Sequence, residues 1–285
     1  MYIKTFGGLA FSNKQIWFCP SLGASMYELL AALIHQEGRP ISSDVLMENI
    51  WPSQNSSKSS SALNTLIWRT NKLLSGNSMF ASSKTIQRQR EHVVLNCESL
   101  TGTDFGDLSQ VISKLEAKVT SQIEFSSNEI ITLIETLENY LGDFLPELQS
   151  AWALVVREKY RSYFIRGCQL SIQYFSSKNS YDRAISYAKK ILLVNPYRES
   201  TRRQLIWLYV MNGQRKEAKQ YYKNTISFLH DELGVTPMTE TKAIASLINC
   251  ENDEYDLLSK SFSNINRTAQ ENRLTVLNEL MLLNE

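Results

Sequence analysis

The chain has 285 residues and a formal net charge of +1, with 43% hydrophobic and 21% charged residues. This composition suits a globular protein with material for two ordinary domains, and no apolar run reaches the length needed to cross a bilayer. The N-terminal segment alternates polar and apolar residues without a secretory hydrophobic stretch, so a cytoplasmic protein with no membrane partner is expected.

Enzymatic and metal chemistry have no foothold in the residue pattern. Cys19, Cys97, Cys168 and Cys250 are far apart and form no C-x-x-C pair, so neither a disulfide framework nor a zinc site is expected. His35, His92 and His230 are equally scattered. No zinc-protease, nucleophile-elbow or phosphate-loop motif is present. The expectation is a non-enzyme with no cofactor and no metal.

The near-zero net charge hides segregation. Residues 51–100 carry Lys58, Arg69, Lys72, Lys84, Arg88 and Arg90 against Glu91 and Glu98. Residues 101–150 are acidic, 151–245 turn basic again, and the last stretch is acidic. A local basic patch binds a polyanion without global cationic character. For 151–245 the bland alternative, solvated helix faces, stands beside it.

In chain order, Tyr2 to Phe6 reads as a strand broken by Gly7-Gly8. Ile16-Trp17-Phe18 follows a polar Ser12-Asn13-Lys14 turn as a second strand. Ser25 and Glu28 have capping-box spacing and head a helix with Met26, Leu29, Leu30, Leu33 and Ile34 on one stripe. Gly38 stops it. Ser42 or Ser43 caps a shorter helix with Val45, Leu46 and Ile50 inside, ended by Trp51-Pro52.

The serine-rich run Ser53 to Ser61 passes into a third helix. Leu63, Leu66, Ile67, Thr70, Leu73 and Leu74 form its inner face, and Asn64, Thr65, Trp68, Arg69, Asn71 and Lys72 its outer face. The outer face combines amide, hydroxyl, aromatic and cationic groups and lacks any acid. Those groups read base edges and phosphates in a major groove. The competing reading folds Trp68 back onto a neighbouring element. Thr85 to Leu95 then reads as a hairpin with Arg88 and Arg90 near its tip, the layout of a winged helix.

These stretches carry a family resemblance. Leu29 to Leu33, Gly38 to Ser42, Leu46 to Pro52, and Ala62-Leu63-Asn64 to Arg69 and Leu74 resemble the OmpR-type winged helix. The likeness is to the version that heads the SARP family of bacterial antibiotic-regulatory activators. The resemblance makes the third helix the recognition helix and Asn64, Thr65, Trp68, Arg69 and Lys72 its contact residues. Lys58, Arg88 and Arg90 are expected to anchor phosphates. This chain departs from the family at Trp68, at Thr70-Asn71, and at the wing turn, where Gln89-Arg90 replaces the usual glycine.

Asp104-Phe105 and the acidic run after it read as a connection, with a helix over 106–118 carrying Leu108, Val111, Ile112 and Leu115. Ser126 or Ser127 caps a helix with Ile130, Ile131, Leu133, Ile134, Leu137 and Leu141 inside. From Trp152 onward a period of 34 is visible. It relates Ile172 to Ile206, Asn179 to Gly213, Ala184 to Ala218, Tyr187 to Tyr221 and Lys189 to Lys223. Thirty-four is the period of tetratricopeptide helix pairs.

Tyr140 to Leu145 with Trp152 and Arg157-Glu158, Asn195 to Glu199, and Asp231 to Pro237 with Glu240-Thr241 resemble the bacterial transcriptional activation domain of the same regulators. The expected fold is mainly α with a small β component. It comprises a winged helix-turn-helix domain (1–100), a TPR-like α-helical repeat domain (101–246) and a helical C-terminal extension (247–285). The extension reads as a cap on the repeats or as an oligomerisation helix. The resemblance implies a transcription activator that binds direct repeats near a promoter in double-stranded DNA, self-associates there and recruits RNA polymerase. The alternative from the residues is a protein–protein adaptor that uses the repeat groove.

Overall fold

A computed structural model of the chain describes residues 1–13, 16–52, 56–77, 80, 85–96 and 101–249. In chain order its elements are β1 (Tyr2–Lys4), β2 (Ala10–Asn13), β3 (Ile16–Phe18), α1 (Ala24–His35), β4 (Ile41–Ser42), α2 (Ser43–Ile50), α3 (Ser56–Ser75), β5 (Ile86–Gln89), β6 (His92–Leu95), β7 (Gly102–Thr103), α4 (Asp104–Thr120), α5 (Ser127–Glu138), α6 (Ala151–Ser177), α7 (Tyr181–Val194), α8 (Glu199–Met211), α9 (Arg215–Leu233) and α10 (Thr239–Asn249). The chain divides into two compact units, Met1–Ser171 and Ile172–Glu285. The fold is mainly α with a small β component.

The first unit opens with a four-stranded sheet of order β3-β2-β1-β7, in which β7 joins β1 in parallel. Ser12 and Asn13, expected in a turn, lie in β2 opposite Tyr2 and Ile16. Ile3 pairs with Phe11, and both point into the core. Three helices follow, and then a second sheet of order β4-β6-β5, whose β5–β6 hairpin is the wing.

Helix α1 is more deeply buried than a single apolar stripe requires. Every residue from Glu28 to Ile34 is buried, as in a central helix packed on several sides. The expected Ser25–Glu28 capping box does not form. Gly23 is the N-cap and provides no side-chain cap. The Glu28 carboxylate instead accepts from Trp152 Nε1 at 2.5 Å, because a buried carboxylate is stabilised by a strong partner inside the protein. The helix ends through Glu37 and Gly38, at φ +50° and +83°. Ser42 caps α2 by accepting from Asp44 N. Leu46 and Met47 carry the α2 core, while Val45, expected inside, is 46% exposed.

Asp104, expected in a polar connection, is buried and central. Its carboxylate accepts from Thr5 N and Thr5 Oγ1 at 2.7 Å, and from Phe6 N and Phe105 N at 2.9 Å. It thereby fixes the chain after β1 to the start of α4, which Thr103 caps through Gly106 N. Around it Phe6, Phe105, Phe144 and Tyr160 pack ring against ring. Buried Arg157 donates to the carbonyls of Phe144, Leu145 and Leu148.

Ser126 caps α5 with a complete capping box to Glu129. Ile130, Leu133 and Leu137 are buried as expected, whereas Ile131 and Leu141 are exposed. One helical stripe accommodates the first three but not all six apolar positions. Gly167 on α6 permits close packing, since a Cβ there would come within 2.6 Å of Ile112 and 2.8 Å of Leu137 side-chain atoms.

In the second unit the 34-residue period has a structural basis. Ala184 and Ala218 are fully buried, as are Ile172 and Ile206. Asn179 and Gly213 both adopt left-handed backbone conformations at their turns, with φ +56° and +75°. Ile206, Val210, Ala218, Ile244 and Ile248 form a common core. Gly234, at φ +62°, ends α9 in a left-handed cap, with Gly234 N donating to His230 O and Val235 N to Leu229 O. Met238 N then donates to Glu199 Oε1 at 2.8 Å, which joins the two family motifs of this unit. Among the described residues no helix is long and apolar enough to cross a membrane. The expected extension lies outside the described residues from 250 onward.

Candidate nucleic-acid interface

Helix α3 separates its two faces cleanly. Leu63, Leu66, Ile67, Thr70 and Leu74 are buried, and the Thr70 hydroxyl donates to Leu66 O. Asn64, Thr65, Trp68, Arg69 and Lys72 are exposed on one side. Trp68 is 61% exposed, so the ring does not fold back. Lys72 Nζ sits 5.1 Å from its ring centroid, a cation–π contact that holds the ammonium on the helix surface. Thr65 Oγ1 donates to Ser61 O.

Two polar residues turn from the outer face toward the hairpin. Asn71 Nδ2 donates to Ile86 O, and Asn71 Oδ1 accepts from Ile86 N, both at 2.8 Å. This pair satisfies a backbone donor and acceptor at the start of β5 and makes Asn71 a positioning residue. Arg88 Nη1 donates to Asn64 Oδ1 at 2.8 Å and to Ser60 Oγ and O at 3.1 and 3.3 Å. The wing is therefore fastened to α3 at both ends of β5.

At the wing tip Arg90 is exposed and adopts φ +54° in the two-residue loop between Gln89 and His92. The turn thus has the left-handed geometry that glycine favours, without the glycine. Lys58 lies in the first turn of α3, and its side chain is outside the described residues. Among the described residues, Arg69, Lys72 and Arg90 form no ion pair with a carboxylate. An open cavity of about 500 Å³ borders this face, between the start of α1 at Gly23 to Met26 and Thr65 and Arg69 of α3. Residue spacing carries no signal for that neighbour.

Among the described residues no cluster of three or more histidine, cysteine or acidic side chains is arranged to hold a metal. His35 is held neutral, its pKa pushed down to about 4 by burial and by the nearby charges of Lys159 and Arg39. It lies among Phe105, Phe144, Trp152 and Tyr160, a packing position rather than a reactive one.

Residues 126–249 match the family model of the bacterial transcriptional activator domain. A comparison with curated protein sequences gave no match. Among solved structures, Mycobacterium tuberculosis EmbR in complex with a low-affinity phosphopeptide aligns with a TM-score of 0.64 at 17% identity, covering 94% of this chain and 70% of that one. That likeness extends over both compact units and establishes the fold. Residues 126–249 thus match a bacterial transcriptional activator domain, which follows a winged helix in a chain with a fold like that of EmbR.

Proposed function

We propose that the chain is a sequence-specific DNA-binding activator whose helix α3 enters the major groove. The observation that carries this reading is the acid-free outer face of α3, with a cationic hairpin fastened beside it through Arg88 and Asn64. In this reading Asn64, Thr65 and Trp68 face base edges, and Arg69, Lys72 and Lys58 meet phosphates. Arg90 reaches the backbone from the wing tip. Arg88 acts chiefly by positioning, since its Nη1 is already engaged with Ser60 and Asn64.

Residues 1–100 would serve as the DNA reader and 101–246 as the activation domain, followed by the extension 247–285. Binding to direct repeats, self-association on DNA, recruitment of RNA polymerase and a cytoplasmic address belong to the same proposal. The test is titration of the full chain against labelled duplex DNA at several salt concentrations. Binding that weakens steeply with salt supports it. No binding to duplex DNA at low salt would refute it.

One observation favours a second role for the repeats. A groove of about 510 Å³ beside α7 and α8 is lined by Ile185, Leu193 and Tyr209 together with Asp182, Lys189 and Lys190. Its mix of apolar and charged groups of both signs suits a protein segment, as the adaptor reading requires.

A further inference from the structure

The least expected residue on the outer face of α3 is Trp68. An aromatic ring that is 61% exposed amid Asn64, Thr65, Arg69 and Lys72 leaves a large apolar surface in water at a cost that burial in a complex removes. Phosphates and base hydrogen-bonding edges do not repay that cost. Of the groups displayed in the major groove of unmodified DNA, the apolar one is the 5-methyl of thymine.

The position of the ring sharpens this point. Trp68 lies one helical turn beyond Asn64, and Arg88 holds Asn64 by its side-chain oxygen. Lys72, one turn further on, is held at the ring by the cation–π contact. An apolar contact point is thus set between an amide and a cation, along the helix line that the groove would meet.

We propose that Trp68 is a specificity-determining residue that packs its indole against a thymine methyl, so that the operator carries a required thymine at the position α3 presents to it. This rests on the reading of α3 as the recognition helix. The chemistry asks for a methyl on the 5-position of a pyrimidine rather than for a particular hydrogen-bond pattern, so 5-methylcytosine would satisfy the same contact.

The experiment uses the full chain and a pool of randomised duplex DNA. Bound duplexes are selected and sequenced, and the enriched site is resynthesised with each thymine replaced in turn by uracil, which removes only the methyl. One methyl's burial corresponds to about a three- to fivefold change in affinity. The expected result is a loss of that size at one thymine for the parent chain, retained by Trp68→Phe and absent for Trp68→Ala, which binds the thymine and uracil sites alike. A site that is enriched but insensitive to uracil, or whose sensitivity persists in Trp68→Ala, overturns the assignment of Trp68 and leaves DNA binding standing. Failure to enrich any duplex overturns the recognition-helix reading itself, and this inference with it.

Discussion

Arg88 Nη1 on the wing lies 2.8 Å from Asn64 Oδ1 on helix α3, and the same nitrogen reaches Ser60. The hairpin and the helix therefore present their cations as one surface, and Arg88 contributes more to their geometry than to the charge available for phosphates. Arg88→Ala is expected to cost about 1 kcal/mol of unfolding free energy, the ordinary net value of a partly exposed hydrogen bond. It should weaken duplex binding while leaving the salt dependence of affinity nearly unchanged, because that slope falls by about 0.9 only where a neutralised phosphate is given up. Urea denaturation and salt titration measure the two effects separately.

Arg90 is expected to behave in the opposite way. Its φ of +54° disfavours a residue with a Cβ by about 1–2 kcal/mol, partly offset in glycine by the greater freedom of the unfolded chain. Arg90→Gly should thus stabilise the fold by up to about 1 kcal/mol. The same variant should lower the salt slope by about 0.9, since one phosphate is no longer neutralised. Reduced stability would indicate that the turn does not need the left-handed conformation.

Asp104 is the position where a small change should do most damage to the fold. Four donors converge on its buried carboxylate, and leaving buried donors unsatisfied costs about 1–3 kcal/mol each. Asp104→Ala is expected to lose at least about 3 kcal/mol in chemical denaturation. A loss below about 1 kcal/mol would mean that the loop after β1 relaxes to find other partners.

The His35 environment gives a pH dependence with a definite sign. Folded His35 stays neutral down to about pH 4, whereas the ordinary value is 6.5. Between these values the unfolded chain binds more protons, so stability present above pH 6.5 is lost as the pH falls toward 4. Thermal unfolding of the parent chain should show this decline, and His35→Gln should show less of it.

The legibility of this chain in its sequence depends on interaction range. The buried and exposed faces of α3, a serine cap at 126 or 127 and the Ala184/Ala218 period are local or periodic signals, and the structure reproduces them, with Ser126 as the cap. The Glu28–Trp152, Thr5–Asp104 and Arg88–Asn64 pairs join residues far apart in the chain, and no local pattern announces such partners. Competition between local and distant partners also explains the misassigned cap. Ser25 and Glu28 have capping-box spacing, but the buried Glu28 is used by Trp152. Asn71 illustrates the same limit, since helical spacing places it outward and the backbone of Ile86 draws it in.

The central claim is that the exposed cations of α3 bind DNA phosphates. Its most direct measurement is fluorescence anisotropy of a labelled duplex titrated with the parent chain and with Arg69→Ala/Lys72→Ala across a range of salt. Both side chains are exposed, so the fold should survive the double substitution. With two fewer phosphates neutralised, binding should weaken and the salt slope should fall by about 1.8. Parent-like affinity and slope in the double variant would contradict the assignment of α3 as the DNA-reading helix.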